Sequence, residues 1–183
     1  VLRYLKGTRE LGITYGGGRA DDYPELAGYS DADDGDDVDT RLSTSAYVFM
    51  LAGGCISWAS KLQRLVTLST AESEYVALSL AVQEAIYLRQ LVAELGCDQK
   101  SVTIFEDNQA CISIASTNAI QSRTKYIIDK RCHFIRQHVA SGEVKLEYIP
   151  SNGQLADLLT NPLSADKVQT LRKRIMGIDR CRA

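Results

Sequence analysis

From Thr70 to Leu95 the chain runs without a glycine or a proline, between a Ser69-Thr70 start and a Gly96 stop. A hydroxyl residue at the cap, acids in the first turn and a glycine after the last turn mark the two ends of one long helix. Its apolar residues are unevenly placed. Stepping from Glu74 at helical period meets Ala77, Leu78, Ala81, Ala85, Leu88 and Val92, an unbroken apolar stripe that has to lie on a sheet. The same step from Glu72 meets Tyr75, Val76, Ser79, Gln83 and Gln90, a mixed face. Glu74 is therefore expected to aim inward, and Glu72 to sit as a first-turn acid favoured by the helix dipole.

Strand signals surround this helix. Leu11 to Tyr15 reads as a short strand and Leu26 to Ala32 as a second, and Ser43 to Ser60 reads as a hairpin around Gly53-Gly54. Ser101 to Glu106 alternates as a strand, followed directly by a short helix from Asn108 to Ala115. Tyr126 to Ala140 is expected to be helical, Val144 to Ile149 a strand, Asn152 to Thr160 a helix stopped by Pro162, and Ala165 to Met176 a last amphipathic helix. Strands interleaved with crossover helices give an α/β fold, a mixed sheet covered by helices. At 183 residues, 45% of them hydrophobic, the chain can bury one proper core, and one domain with a tail at each end is expected.

The five cysteines (Cys55, Cys97, Cys111, Cys132 and Cys181) are odd in number and form no C-x-x-C pair, which reads as reduced thiols in an intracellular protein. Apolar runs are broken by Ser, Gln, Glu or Arg before a membrane-spanning length, so no membrane partner is expected. A start at Val1 directly in a helical pattern is expected of a piece cut from a longer chain. The net charge of -2 and a pI near 5.7 speak against a free-standing nucleic-acid binder. Charge is nevertheless segregated. Acids crowd Asp21 to Asp39, while Arg123, Lys125, Lys130, Arg131 and Arg136 cluster together with His133 and His138, and Arg172, Lys173 and Arg174 follow near the end. Such a chain can hold a metal in one place and grip phosphates in another.

Four acids fall where this layout brings them together. Asp31 lies on the strand within Gly28-Tyr29-Ser30-Asp31-Ala32-Asp33, and Asp107 ends the later strand within Phe105-Glu106-Asp107-Asn108-Gln109. If those strands are parallel neighbours, the two carboxylates lie side by side at a switch point, where open α/β sheets place their sites. Glu74 arrives from the long helix. Asp157 is polar in the middle of Gln154-Leu155-Ala156-Asp157-Leu158-Leu159, a helix otherwise apolar on that side. Carboxylates held this close repel one another unless a cation joins them, and Mg²⁺ takes a few carboxylates plus water and substrate phosphate. Two such ions roughly 3.5–4 Å apart would activate a water and stabilise the leaving oxygen of a phosphodiester.

Rival chemistries find no foothold. Asp31-Ala32-Asp33-Asp34-Gly35-Asp36 opens like a calcium loop, but its fifth position is Gly, its sixth is not, and its twelfth is Leu42 where a bidentate Glu is required. There is no H-E-x-x-H, paired cysteine or H-x-E for zinc, no G-x-S-x-G, and no phosphate-cradling Gly-Lys-Ser/Thr loop.

Gly28 to Asp33, Ser69-Thr70-Ala71-Glu72-Ser73-Glu74-Tyr75, Glu106-Asp107-Asn108-Gln109, Arg123-Thr124-Lys125, His133-Phe134-Ile135-Arg136 and Ala156-Asp157-Leu158-Leu159-Thr160 resemble, in order, the successive signatures of the ribonuclease H domain of copia-type LTR retrotransposons. The resemblance implies the ribonuclease H fold, a five-stranded mixed sheet flanked by helices. It puts the four metal-binding acids on Asp31, Glu74, Asp107 and Asp157, agreeing with the choice of Glu74 from periodicity. It further implies two Mg²⁺ ions, replaceable by Mn²⁺, and hydrolysis of the RNA strand of an RNA–DNA hybrid, recognised through 2′-hydroxyls in the shallow minor groove. Asn108 and Gln109 match positions expected to touch that groove, with Arg123, Lys125 and Arg131 holding the strands.

The resemblance also divides the chain. Residues 1–20 correspond to a linker from the reverse transcriptase of the same polyprotein, its expected partner. Residues 21–163 form the ribonuclease H-like domain, and 164–183 a C-terminal helix and tail. The expected location is the cytoplasm, in the virus-like particle of a retroelement, or the nucleus. The sequence departs from the family pattern at Asp34, where Trp is usual, at Asn161, where Lys is usual, and by one extra residue between Lys125 and His133. The loop Pro150-Ser151-Asn152-Gly153-Gln154 lacks the His found there in cellular ribonucleases H. All four acids are kept, which favours an active nuclease. The alternative is a catalytically inactive ribonuclease H-like module, structural or hybrid-binding, of a decayed retroelement.

Overall fold

The computed structural model describes residues 1–16, 25–35, 39–116 and 126–178, without the side chains of 126–130 and 132. Along the chain lie α1 (Leu2–Thr8), β1 (Ala27–Ala32), β2 (Thr44–Leu51), β3 (Gly54–Leu62), α2 (Thr70–Glu94), β4 (Val102–Glu106), α3 (Gln109–Ser116), α4 (Tyr126–Ala140), β5 (Val144–Tyr148), α5 (Asp157–Thr160) and α6 (Ala165–Ile175). The strands make one five-stranded sheet in the order β3-β2-β1-β4-β5. β1, β2 and β3 are antiparallel, and β4 pairs parallel with both β1 and β5. The sheet is mixed and carries helices on its faces, as the interleaved pattern predicts.

Strand alternation sorts the core into two layers. Tyr47 and Phe49 of β2 join Val102 and Ile104 of β4 under the apolar stripe of α2. Ala46 and Val48, pointing the other way, meet Leu155, Ala156 and Leu171 from the α5–α6 segment. The stripe from Ala77 to Val92 is buried as expected. Tyr75, Val76 and Ser79 are buried as well, so the first half of α2 is enclosed on the face that looked mixed in sequence. By length and composition α2 could cross a bilayer, but here half of that window is buried inside the protein. Cys55, Cys97 and Cys111 are free thiols.

Three local expectations are corrected. Leu11–Tyr15 forms no strand; the segment is fixed by single bonds, the Thr14 N–H to the Met176 carbonyl and the Gly16 N–H to the Ala52 carbonyl, both 2.8 Å. The hairpin turns on Ala52-Gly53, both at positive φ, one residue earlier than Gly53-Gly54, because a bulge at Phe49/Met50 shifts the register. Gly54 instead makes room, since a Cβ there would lie 2.8 Å from the Thr14 carbonyl oxygen. Finally, the helix expected from Asn152 begins only at Asp157. Gly153 closes a turn onto the Pro150 carbonyl, and the buried Gln154 amide donates to the Ser30 carbonyl at 2.8 Å, which ties the preceding residues to β1.

Candidate metal centre

The register of the two central strands builds the floor of the site. Tyr29 of β1 pairs with Phe105 of β4, and their rings meet with centroids 5.1 Å apart. Asp31 lies two residues further along β1 and Asp107 directly follows the end of β4, so the parallel pairing brings both acids to the same end of the sheet. α2 supplies the third acid. Its cap is closed by the Ser69 side chain, which accepts the Glu72 N–H, while Glu72 Oε2 accepts the Leu68 N–H at 2.8 Å. That exchange holds Glu72 at the helix start as a capping acid. Glu74 turns inward, and ligand oxygens of Asp31, Glu74 and Asp107 all lie within 4.8 Å of one another.

Asp157 opens α5 and stands beside this group without joining it. Its Oδ2 accepts the Lys167 ammonium at 2.5 Å. The end of α5 serves Asp31 instead: the Thr160 hydroxyl donates to Asp31 Oδ2, and the Asn161 amide approaches the same oxygen at 3.4 Å. Asp107 is held from the loop after β5, where the Ser151 hydroxyl donates to its Oδ2 at 2.5 Å.

A fifth acid lies beneath. Glu106 shares the buried face of Val102 and Ile104, is fully enclosed, and has one oxygen on the Asn108 N–H and the other without a partner. Burial is the main cause of the raised pKa values here. It pushes Asp31 up to about 7 against the opposing Thr160 hydroxyl, with Asp157, Asp107 and Asp33 adding repulsion. Glu74 is pushed up to about 11 by burial, then by Glu106, Asp31 and Asp107. Glu106 is raised by burial too, with Asp107 and Asp31 adding to it. Glu74 Oε2 and Glu106 Oε2 are buried acceptors with no hydrogen bond. A cluster of acids with orphaned oxygens fits a hard divalent cation.

A stability prediction follows for Glu106. A carboxyl whose folded pKa is raised holds its proton more tightly when folded, so its favourable contribution is complete below about pH 4.5 and is lost as pH climbs toward the folded pKa. Glu106→Gln should therefore raise Tm at pH 8 in EDTA. At pH 5 it should change little. A lower Tm at pH 8 would show that Glu106 is ionised and stabilised in the fold.

No family model matches the chain. Over 178 residues, 97% of its length, it is 39% identical to the retrovirus-related Pol polyprotein from transposon TNT 1-94 of Nicotiana tabacum. It is 36% identical over 177 residues, 96% of its length, to that from transposon RE2 of Arabidopsis thaliana. The structure of LC11-RNase H1 in complex with an RNA/DNA hybrid superposes with a TM-score of 0.52 at 15% identity, covering 79% of this chain and 99% of that one. This chain is a copia-type Pol homologue with the ribonuclease H fold. It spans 13% and 12% of the two polyproteins.

Within this ribonuclease H fold the residues expected to meet nucleic acid are placed unevenly. Asn108 caps α3, its Oδ1 accepting the Cys111 N–H at 3.0 Å, and Gln109 beside it is exposed. Arg131 is half-buried in α4, with Nη1 enclosed and unbonded. Arg123 and Lys125 lie outside the described residues. Two members of the basic cluster are engaged within the protein: Arg136 donates twice to the Ile114 carbonyl near the end of α3, and His138 pairs with Glu143 at 2.7 Å. Sequence reasoning also passed over Glu106, although the alternation of Val102, Ile104 and Glu106 places it on the core face. It passed over Lys167, Ser151 and Asn161 as partners of the acids. Their contacts cross between separate elements, and no spacing signals them.

Proposed function

We propose that the chain is the ribonuclease H of a copia-type polyprotein, an endonuclease that hydrolyses the RNA strand of RNA–DNA hybrids during reverse transcription. The observation that carries this reading is the convergence of Asp31, Glu74 and Asp107, from three separate elements, within 4.8 Å of one another. Two Mg²⁺ ions, or Mn²⁺ in their place, would supply the charge that activates a water and stabilises the leaving oxygen. Asp31, Glu74 and Asp107 would hold that charge, with Asp157 as the fourth acid. Thr160 and Asn161 orient the Asp31 carboxylate and Ser151 that of Asp107. Asn108 and Gln109, next to Asp107 in the chain, are assigned to the minor groove and its 2′-hydroxyls. Arg123, Lys125 and Arg131 are assigned to the phosphates, contacts that position the duplex without reading sequence.

On this reading residues 1–20 join the domain to a reverse transcriptase in the same polyprotein, and the protein works in the cytoplasmic particle of a retroelement. The test is cleavage of end-labelled RNA–DNA hybrid in Mg²⁺ or Mn²⁺ against EDTA. Cuts confined to the RNA strand and abolished by EDTA are expected, with little action on duplex DNA or single strands. Full activity in EDTA, or equal cutting of duplex DNA, would overturn the reading. Binding of hybrid without cleavage in either metal would establish the inactive module instead.

A further inference from the structure

Lys167 occupies an unexpected place. It lies in the first turn of α6, where the exposed N–H groups and the helix dipole disfavour a cation, and its own N–H is capped by Ser164 at 3.4 Å. Leu171, fully buried one turn later, fixes α6 against the sheet. From that anchored helix the Lys167 ammonium reaches across Pro162-Leu163 to Asp157 Oδ2 at 2.5 Å, in a pair whose carboxylate is 8% exposed. Asp157 stands close enough to Asp31 to repel it. The ammonium therefore sits beside the three-acid group as a single positive charge on the fourth carboxylate.

We propose that Lys167 is a tethered cation holding the Asp157 position of the site, which a second divalent ion can take only by displacing it. This rests on the metal-binding reading above. The three-acid group of Asp31, Glu74 and Asp107 is untouched by Lys167 and keeps the stronger ion. At Asp157 a divalent ion and the ammonium compete for one carboxylate and repel each other, so the weaker binding event is set by the strength of this ion pair. α6 thereby tunes how much divalent cation the site needs to fill, without contributing a ligand.

Calorimetric titration of the whole chain with MnCl₂ tests the proposal. Wild type should show a stronger and a weaker event. Lys167→Met keeps most of the side chain's length and removes its charge, and should tighten the weaker event about tenfold while leaving the stronger one unchanged. Lys167→Arg should behave as wild type, because the charge is restored. In Asp157→Asn, adding Lys167→Met should change nothing. A purely structural role would instead lower Tm in Lys167→Met without moving either affinity. That result, or a weaker second event in Lys167→Met, overturns the proposal and leaves the metal reading standing. Absence of any binding in wild type overturns both. A readout without mutation guards against a variant that does not fold: the Lys167 ammonium resonance of wild type should shift as the second equivalent of Mg²⁺ binds. A resonance that stays fixed through saturation would also refute it.

Discussion

Cleavage of hybrid should fall to background in Asp107→Asn while the circular dichroism spectrum stays that of wild type. Asparagine keeps the shape of the side chain and can still accept the Ser151 hydroxyl, so the loop after β5 has no reason to move. What disappears is one negative charge from a group held within 4.8 Å. Asp107 is among the acids that raise Asp31, Glu74 and Glu106. Its neutralisation should stabilise the metal-free protein at pH 8, chiefly by relieving the repulsion it exerts on Asp31. Tm in EDTA should rise, and the gain should shrink when Mg²⁺ is present, since wild type then has its cation. A marked fall in Tm would mean that Asp107 supports the structure and is not chiefly a ligand.

Glu74 and Glu72 should separate cleanly although two positions apart. Glu74→Gln is expected to remove most of the activity with the fold intact, because a Glu74 oxygen lies in the three-acid group and glutamine keeps an oxygen for the Ala32 backbone. Glu72 closes the helix cap through the Leu68 N–H, and glutamine retains an oxygen for that bond. Glu72→Gln should cost roughly 0.3–1 kcal/mol through the helix dipole and leave the rate within a few-fold. Steady-state rates with urea melts of both variants decide it. A dead Glu72→Gln beside an active Glu74→Gln would reverse the roles of the two acids.

The parts of the site that were legible in the sequence are those governed by a period. Glu74 heads a stripe of 3.6-residue spacing, and the residues along it are buried. Asp31 and Asp107 come together because a crossover helix makes β1 and β4 parallel neighbours, which the order of elements implies. Asp157 was recognised as an acid, but its surroundings were not. The helix around it was expected from Asn152, whereas Gln154 binds β1 and delays the helix to Asp157. Its ammonium partner comes from ten residues away, beyond Pro162, a contact that depends on how α6 seats on the sheet. Glu106 was hidden for a different reason. It ends a strand beside Asp107, and only its parity with Val102 and Ile104 places it in the core.

The segment that failed to become a strand has a wider consequence. Thr14 and Gly16 bind Met176 and Ala52, so stretches near the two ends of the chain are stitched together at the β2–β3 turn. That turn adjoins the start of β1, where Ala27 faces Met50, whereas Asp31 lies near the far end of the strand. The polypeptide is thus closed like a loop whose clasp sits at the pole opposite its carboxylates. Chain leading into Thr14 and chain leaving Met176 therefore meet at the end of the sheet remote from the acids, so a change made at the clasp leaves the carboxylates untouched.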